Sequence, residues 1–203
     1  MKKILVTYAT LSGSTAEVAR TVGDVIAQAG FAVDVLAVDG VDRLAGYDAV
    51  VVGGPMILGW DRRARRFLHH YRKELARLPL AVFVTAMSLT RDPDTHVDGV
   101  AVTVDPDLAT APAEEGHLTL RERYARLSSY VRPILKAARP ARPASLAIFA
   151  GRLEYGRLPW WGVLFAMVVL RAPARDRRNW SAIRSWAAGL PAALGLIAAG
   201  VGD

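Results

Sequence analysis

Two hydrophobic periodicities alternate along this chain. Short continuous apolar runs, typical of strands buried on both faces of a parallel sheet, are separated by segments in which apolar residues recur every third or fourth position, as in an amphipathic helix. The apolar runs predict five strands, at 3–8, 31–38, 49–52, 80–86 and 146–150. The helical periodicity predicts helices at 15–28, 61–77, 119–138 and 180–198. The chain therefore alternates strand with helix for most of its length.

This alternation predicts an α/β fold with a parallel sheet between two layers of helices. Five strands with a polar turn after the first favour the doubly wound strand order 2-1-3-4-5. We expect residues 1–203 to form a single domain, with insertions at about 91–118 and 156–175. The 91–118 segment carries Pro, Asp and Gly residues and is predicted to be a surface insertion. Ligands of such sheets bind at the carboxyl ends of the strands, which here are followed by 9–15, 53–60, 86–90 and 151–156.

The turn Thr10–Thr15, hereafter the phosphate turn, is the strongest chemical signal in the chain. It contains four hydroxyl side chains and Gly13, and it leads from the first strand into the first helix. Unpaired N–H groups and the helix dipole favour an anion at such a position. The turn has no lysine and so differs from the GxxxxGK[ST] nucleotide loop, which favours a phosphate monoester over a triphosphate with Mg²⁺. The alternative is a simple helix N-cap, the usual role of Ser and Thr before a helix.

The composition of the chain excludes several kinds of site. Cysteine is absent, which excludes disulfides, thiolate metal sites and cysteine nucleophiles. His69 and His70 have no carboxylate at ligand spacing, so no metal site is predicted. The formal net charge is +7, which favours an anionic partner, although a solvated charged face explains most of the arginines equally well. No zinc pattern or aromatic–basic RNA motif accompanies this charge, so no nucleic acid is expected.

One apolar segment, Trp160–Leu170, begins with paired tryptophans and is flanked by Arg157 and Arg171. It is shorter than the roughly 20 residues that cross a bilayer. It fits a peripheral membrane contact, a homodimer contact or a helix buried on the domain. Residues 1–8 do not form a signal peptide, so we expect a cytoplasmic protein, either free or peripheral on the cytoplasmic membrane.

The phosphate turn and the residues around it resemble known sequence signatures. Thr10-x-Ser12-Gly13-x-Thr15-x-x-x-Ala19 is similar to the FMN-phosphate signature of flavodoxins. Four further stretches resemble the flavodoxin-like, menaquinone-dependent protoporphyrinogen oxidases. These are Tyr47–Gly53 with Gly59, Phe149–Tyr155, Trp160-Trp161 with the apolar segment after it, and Asp176-x-Arg178 with Trp186.

This resemblance implies a flavodoxin-like three-layer sandwich and an FMN-dependent oxidoreductase. FMN would be held without a covalent bond, and electrons would pass from an organic substrate, such as a porphyrin-type carboxylate, to a quinone. The FMN phosphate would lie at the phosphate turn, and the isoalloxazine ring between the 53–60 loop and the 86–90 loop. The cofactor-binding parts of these loops, Pro55–Trp60 and Met87–Leu89, are hereafter the two ring loops. No catalytic residue is assigned. The implied cofactor-binding residues are Thr10, Ser12, Gly13, Ser14, Thr15, Pro55, Met56, Ile57, Leu58, Gly59, Trp60, Met87, Ser88 and Leu89.

Departures from the oxidase pattern leave alternatives open. Ile57 and Leu58 replace a basic and an aromatic residue of the oxidases, and Pro173 replaces a glycine. A flavodoxin-type electron carrier is one alternative, although this chain is basic and only Trp60 in its ring loops can stack on a flavin. An FMN-binding module without oxidase activity is another. The three hypotheses share the FMN site and differ in what exchanges electrons with it.

Overall fold

The computed structural model describes residues 1–57, 59–92, 94–114, 117–152 and 176–197. Leu58 and the predicted 156–175 insertion, with its apolar segment, lie outside the described residues. The strands are β1 Lys3–Tyr8, β2 Ala32–Ala37, β3 Ala49–Pro55, β4 Leu80–Ala86, β5 Leu89–Thr90, β6 His96–Val97, β7 Val100–Val104, β8 Ala109–Thr110 and β9 Ser145–Ala150. The α-helices are α1 Ser14–Gln28, α2 Arg62–His70, α3 Arg72–Leu75, α4 Leu120–Tyr124, α5 Leu127–Ala138 and α6 Trp180–Ala193.

The central sheet has the predicted order at its core and is wider than predicted. Within the described residues it has seven strands in the order β2-β1-β3-β4-β9-β7-β6. The first five are parallel neighbours in the 2-1-3-4-5 order. The prediction of five strands is wrong in number because β7 pairs in parallel with β9, and β6 pairs antiparallel with β7.

The additional strands come from the 91–118 segment, which the sequence predicts to be an insertion. In β7, buried Val100 and Val102 alternate with the exposed Ala101 and Thr103, the period-2 pattern of a half-buried strand. Asp105 then fixes this strand to the sheet. Its fully buried carboxylate accepts a hydrogen bond from the Ala150 N–H at 3.1 Å. The segment is therefore integral to the sheet.

Apolar residues on the two faces of the sheet form two cores. Val50 and Val52 of β3 point to the face that is covered by α2 and α5. Ala49 and Val51 point to the opposite face, covered by α1 and α6. Such side-chain alternation is the geometry of a strand, and burial on both faces explains why β3 and β4 have continuous apolar sequences. The predicted three-layer α/β architecture is confirmed.

Two predicted helices are each divided in the structure. The 61–77 helix breaks at Tyr71, whose hydroxyl donates to the carbonyl of Val41 at 2.8 Å. The 119–138 helix breaks before Leu127, where Arg126 adopts an extended backbone. At that break the Ala125 carbonyl accepts a hydrogen bond from the Thr90 N–H at 2.9 Å. At the second break this tertiary hydrogen bond occupies a carbonyl that a continuous helix would pair internally.

Within the described ranges, no helix combines the length and the hydrophobicity that crossing a bilayer requires.

Candidate functional site

The phosphate turn lies between the end of β1 and the start of α1, at the carboxyl edge of the sheet. Gly13 precedes α1 with φ 89° and ψ −18°, a left-handed conformation that glycine adopts without strain. Its N–H donates to Thr10 Oγ1 at 3.0 Å and closes the turn on itself. The local sequence thus fixes the turn by one glycine conformation and one side-chain hydrogen bond.

The start of α1 carries buried N–H groups that Gly13 cannot cap. The first N–H groups of any helix lack intrahelical acceptors, and Gly13 provides no side-chain cap. Ser14, Thr15 and Ala16, which carry these groups, are all buried. Buried N–H groups require an acceptor, and at a helix N-terminus an anion supplies it together with favourable dipole energy. The donor set therefore fits a phosphate group.

The four hydroxyls of the turn have different partners. Thr15 Oγ1 lies 2.8 Å from Thr85 Oγ1 in a buried contact that ties α1 to β4. Ser14 Oγ accepts from the backbone N–H of Arg152 at 3.1 Å. Thr10 and Ser12 are partly exposed. Ser14 and Thr15 thus anchor the turn to the sheet, while Thr10 and Ser12 border the solvent.

Arg63 holds the turn from the side of α2. Its Nη2 donates to the carbonyl of Thr10 at 2.7 Å. The same guanidinium lies 3.4 Å from Asp61, which caps α2 by accepting from the Arg63 N–H at 2.8 Å. Its charge is therefore offset by a carboxylate, and its role at the turn is a hydrogen bond to the backbone.

A charged network lies behind the first turn of α1. Glu17 accepts from Arg152 at 2.8 Å and from Arg178 at 2.7 Å. Arg178 also pairs with Asp176 at 2.6 Å, and its side chain is only 3% exposed. Burial raises the pKa of Glu17. The hydrogen bond from Arg178 and the charges of Arg178 and Arg152 lower it by more than burial raises it, so the pKa lies below its ordinary value. The hydrogen bond from Arg178 likewise lowers the pKa of Asp176.

Sequence reasoning singled out Asp176 and Arg178 through the resemblance, but it did not find their partner Glu17. An acidic residue in the first turn of a helix is too common to mark a site by itself. The network connects α1 with the chain on both sides of the segment that the structure does not describe. It positions the phosphate turn from behind.

The first ring loop is shaped mainly by backbone hydrogen bonds. Met56 and Trp60 form an antiparallel bridge. Inside it the Ile57 N–H donates to the Gly59 carbonyl at 3.0 Å, and Gly59 has φ 106°. A left-handed residue at that position favours glycine. The loop is therefore a tight turn, of which Leu58 lies outside the described residues.

Trp60 does not lie on the surface of this loop. It is 2% exposed and belongs to the core between the sheet and α2. Its indole packs so closely on Gly54 that a Cβ there would lie 2.8 Å from Nε1. Nε1 itself has no hydrogen-bond partner. In this conformation the indole is a core side chain and is not available to stack on a ring outside the loop.

The second ring loop is held by its carbonyl groups. The Ser88 carbonyl accepts from the Tyr130 hydroxyl at 3.0 Å, and the Met87 carbonyl accepts from Arg177 at 3.4 Å. Leu89 is buried. The two ring loops meet at the ends of β3 and β4, where the Met56 N–H donates to the Thr85 carbonyl at 2.9 Å. The predicted phosphate and ring segments therefore share one edge of the sheet.

Tyr124 is a residue near this edge that sequence reasoning missed. Burial raises the pKa of its phenol, and the backbone N–H of Gly59 opposes that rise, which locates the hydroxyl beside the first ring loop. Its ring packs edge-on against Tyr130, with centroids 6.0 Å apart. No local pattern marks Tyr124, because it reaches the site only through the break between α4 and α5.

The sequence of the chain also matches a known protein family. The family described as Flavodoxin domain matches residues 5–167, most of the chain.

The chain belongs to the flavodoxin domain family.

FMN, predicted from the phosphate turn and its resemblance, is the cofactor that this membership indicates. The narrower resemblance to protoporphyrinogen oxidases is not part of this finding. A search of the curated proteins finds no match.

Solved structures align with most of this chain. A C101A mutant of flavodoxin from Pseudomonas aeruginosa aligns with a TM-score of 0.50 at 15% identity, covering 95% of this chain and 99% of that one. The two-electron reduced flavodoxin of Megasphaera elsdenii aligns with a TM-score of 0.47 at 14% identity, covering 93% and 98%. Rubredoxin oxygen:oxidoreductase from Desulfovibrio gigas gives 0.49 at 12% identity, covering 97% of this chain and 37% of that one. At its identity, the likeness to the first of these structures concerns the fold alone.

Proposed function

We propose that this protein is a flavodoxin-type electron-transfer protein that binds FMN without a covalent bond and exchanges electrons with a redox partner. The observation that carries the proposal is the start of α1. A left-handed glycine there leaves buried N–H groups uncapped at the carboxyl edge of a doubly wound sheet. Family membership supports FMN as the group that these donors hold.

Different residues would bind the phosphate and the ring of the cofactor. The N–H groups of Ser14 to Ala16 and the hydroxyls of Thr10 and Ser12 would hold the phosphate. The Gly13 N–H closes the turn on Thr10, and the Ser14 and Thr15 side chains keep the turn in place. The ring would lie against Pro55–Trp60 and Met87–Leu89. Bound FMN supplies one- and two-electron chemistry, and the surrounding backbone dipoles set its potential.

Electrostatics favour binding by neutral donors. Arg63 is matched by Asp61, and Arg152 and Arg178 are matched by Glu17 and Asp176. These cations stabilise the position of the turn, and the phosphate charge is met by N–H groups and the helix dipole. A monoester suits this arrangement, because no lysine or metal is needed to offset further phosphate groups.

The direct test is reconstitution with FMN and with riboflavin, which lacks the phosphate. We expect FMN to bind with one flavin per chain and riboflavin at least about 100-fold more weakly, because the phosphate contacts are lost. Flavin fluorescence quenching measures both affinities. Equal affinity for the two flavins would assign the phosphate turn to helix capping, and no binding of either would overturn the function.

The second candidate is a quinone-linked oxidase of the protoporphyrinogen-oxidase type. The burial of Trp60 favours it, because the described side chains of the ring loops then offer no exposed aromatic ring to cover the flavin. An uncovered flavin face suits an organic substrate. The Trp160–Leu170 sequence would provide a peripheral membrane contact near the quinone.

The candidates are separated by supplying the reconstituted protein with protoporphyrinogen and a menaquinone analogue under anaerobic conditions. Substrate-dependent quinone reduction would favour the oxidase. Its absence, with rapid reduction of the flavin by an iron–sulfur protein, would favour the electron carrier.

A further inference from the structure

The four arginines of α2 divide between two surfaces. Arg63 turns toward the phosphate turn and Asp61. Arg62, Arg65 and Arg66 are exposed and line a groove between α2 and α5. Of these four arginines, only Arg63 contacts the phosphate turn. The other three have no part in the site described above.

This groove, the α2–α5 groove, has a volume of about 580 Å³. Arg62, Arg65, Arg66 and His69 line it from α2, and Lys136 lines it from α5 beside the small residues Pro133 and Ala137. No carboxylate is among these residues. The groove thus has three arginines and one lysine, Lys136. Among the described residues none of these four has an ion-pair partner. The groove therefore presents four uncompensated positive charges to solvent.

The groove begins beside the ring loops. Arg62 follows the first ring loop by two residues, and α5 reaches the second through the Tyr130 hydroxyl on the Ser88 carbonyl. From Arg62 to His69 the helix rises about 10 Å. A protein surface of moderate size placed in the groove would thus have one edge beside the ring loops.

We propose that the α2–α5 groove docks an acidic redox protein that exchanges electrons with the FMN. The inference rests on the proposed function and adds to it the charge of the partner and the place where it binds. In the docked complex one electron leaves the partner's redox centre, which is oxidised, and reduces the FMN. Charge complementarity of this kind accelerates association and sets orientation more than it deepens affinity.

Other anionic partners fit the groove less well. Single-stranded nucleic acid binding uses aromatic side chains for stacking, and an amphipathic membrane contact uses exposed bulky apolar side chains. The uncharged side chains that line the groove, Pro133 and Ala137, provide neither. Position beside the ring loops also gives a redox protein an advantage that RNA or lipid does not share.

The experiment measures binding of the FMN-loaded protein to two acidic probes, a [2Fe–2S] ferredoxin and a rubredoxin, by calorimetry at low and high salt. The groove variant is Arg65→Glu with Arg66→Glu. The matched control is Arg20→Glu with Arg77→Glu, which makes the same change in net charge at exposed residues outside the groove. Circular dichroism and FMN titration check that both variants fold and bind FMN.

We expect the wild type to bind at least one probe, with affinity falling as salt rises. The groove variant should lose at least about tenfold in affinity and the control less than about threefold. Equal losses in both variants would show a non-local charge effect and overturn the proposal. So would binding of neither probe, or groove-dependent binding of RNA or anionic phosphatidylglycerol vesicles in place of the acidic proteins.

Failure of this proposal and of the proposed function give different results. If the protein binds FMN but neither acidic probe, the flavin site is supported and the docking site is overturned. A protein that binds the probes through the groove but takes up no FMN retains the docking surface and refutes the electron-transfer function.

Discussion

The phosphate turn and the ring loops lie at the same edge of the sheet but are built in different ways. Side chains from elsewhere in the chain hold the phosphate turn: Thr85 of β4, Arg63 of α2 and Arg178, which pairs with Glu17 of α1. The ring loops are held through backbone groups, such as the Ile57 N–H and the Ser88 carbonyl. The first region is specified by residue types, whereas the second tolerates many sequences with the same backbone.

This difference explains why the sequence has a recognisable signature in the phosphate turn and only a weak one in the ring loops. It also indicates how cofactor binding divides: the phosphate turn would supply most of the affinity, and the ring loops would tune the flavin. Four substitutions test this division.

The largest effect is expected from Gly13→Asp. The new side chain would strain a left-handed backbone and bring a negative charge to the phosphate, so we expect FMN affinity to fall more than about 100-fold while the fold is retained. Fluorescence titration measures the loss. Gly30→Asp is the matched control, because Gly30 also has φ 89° but lies beyond the other end of α1.

Gly13→Asn separates charge from backbone strain at the same position. If charge dominates, the asparagine variant keeps much of the affinity that the aspartate variant loses. FMN binding by Gly13→Asp at wild-type affinity would contradict the phosphate turn as the anchor.

Glu17→Gln tests the support behind the phosphate turn. The pKa of Glu17 is lowered in the folded protein, so its charge stabilises the fold above the ordinary pKa of glutamate, and this stabilisation is lost as pH falls through the lowered value. With Glu17 about one-third exposed, we expect a loss of about 1 kcal/mol in the free energy of unfolding at pH 7. Urea unfolding measures it.

The difference between this variant and the wild type should shrink as the pH is lowered, because the wild-type carboxylate takes up a proton as the pH passes through its lowered pKa. Glu74→Gln, at an exposed glutamate, should change stability little across the same pH range. A Glu17→Gln difference that stays constant from pH 7 down to the lowest pH at which the protein folds would show that the charge of Glu17 is not what stabilises the network.

Trp60→Phe examines the ring side of the comparison. The indole is buried with an unpaired N–H, so phenylalanine removes core volume and also an unsatisfied donor, and we expect a net loss of about 1 kcal/mol in stability. FMN affinity should change less than about threefold. A loss of affinity above tenfold would show that Trp60 leaves the core and stacks on the flavin when FMN binds.

The smallest effect is expected from Tyr124→Phe. Loss of the hydroxyl beside the Gly59 N–H should lower FMN affinity about two- to threefold by loosening the first ring loop. Flavin titration with the Tyr130→Phe variant, whose hydroxyl supports the second ring loop, gives the companion measurement. An unchanged affinity in both variants would show that the ring loops hold their shape without either tyrosine.

Sequence periodicity predicts most of this fold because its strands are buried on both faces and its first helix is amphipathic. The boundaries of β1, β4 and α1 follow closely from that pattern. What it misses depends on contacts between distant residues. The Thr90–Ala125 hydrogen bond divides a helix that appears continuous in sequence, and Asp105 attaches a polar segment to the sheet.

The candidate site shows the same limit. The phosphate turn is local, and Gly13 with its neighbouring hydroxyls marks it. Glu17 and Tyr124 contribute only after folding brings α1 to Arg178 and α4 to Gly59. The burial of Trp60 is likewise set by the approach of α2 to Gly54, which no spacing in the sequence encodes.

The attachment of β7 to β9 has a consequence for handling this protein. Without the 91–118 segment, β9 would expose a row of unpaired N–H and carbonyl groups along an apolar strand, a template for pairing with another molecule. The present outer strand, β6, is two residues long and offers little to pair with. Trimming this segment to obtain a minimal flavodoxin domain would therefore create an aggregation-prone edge.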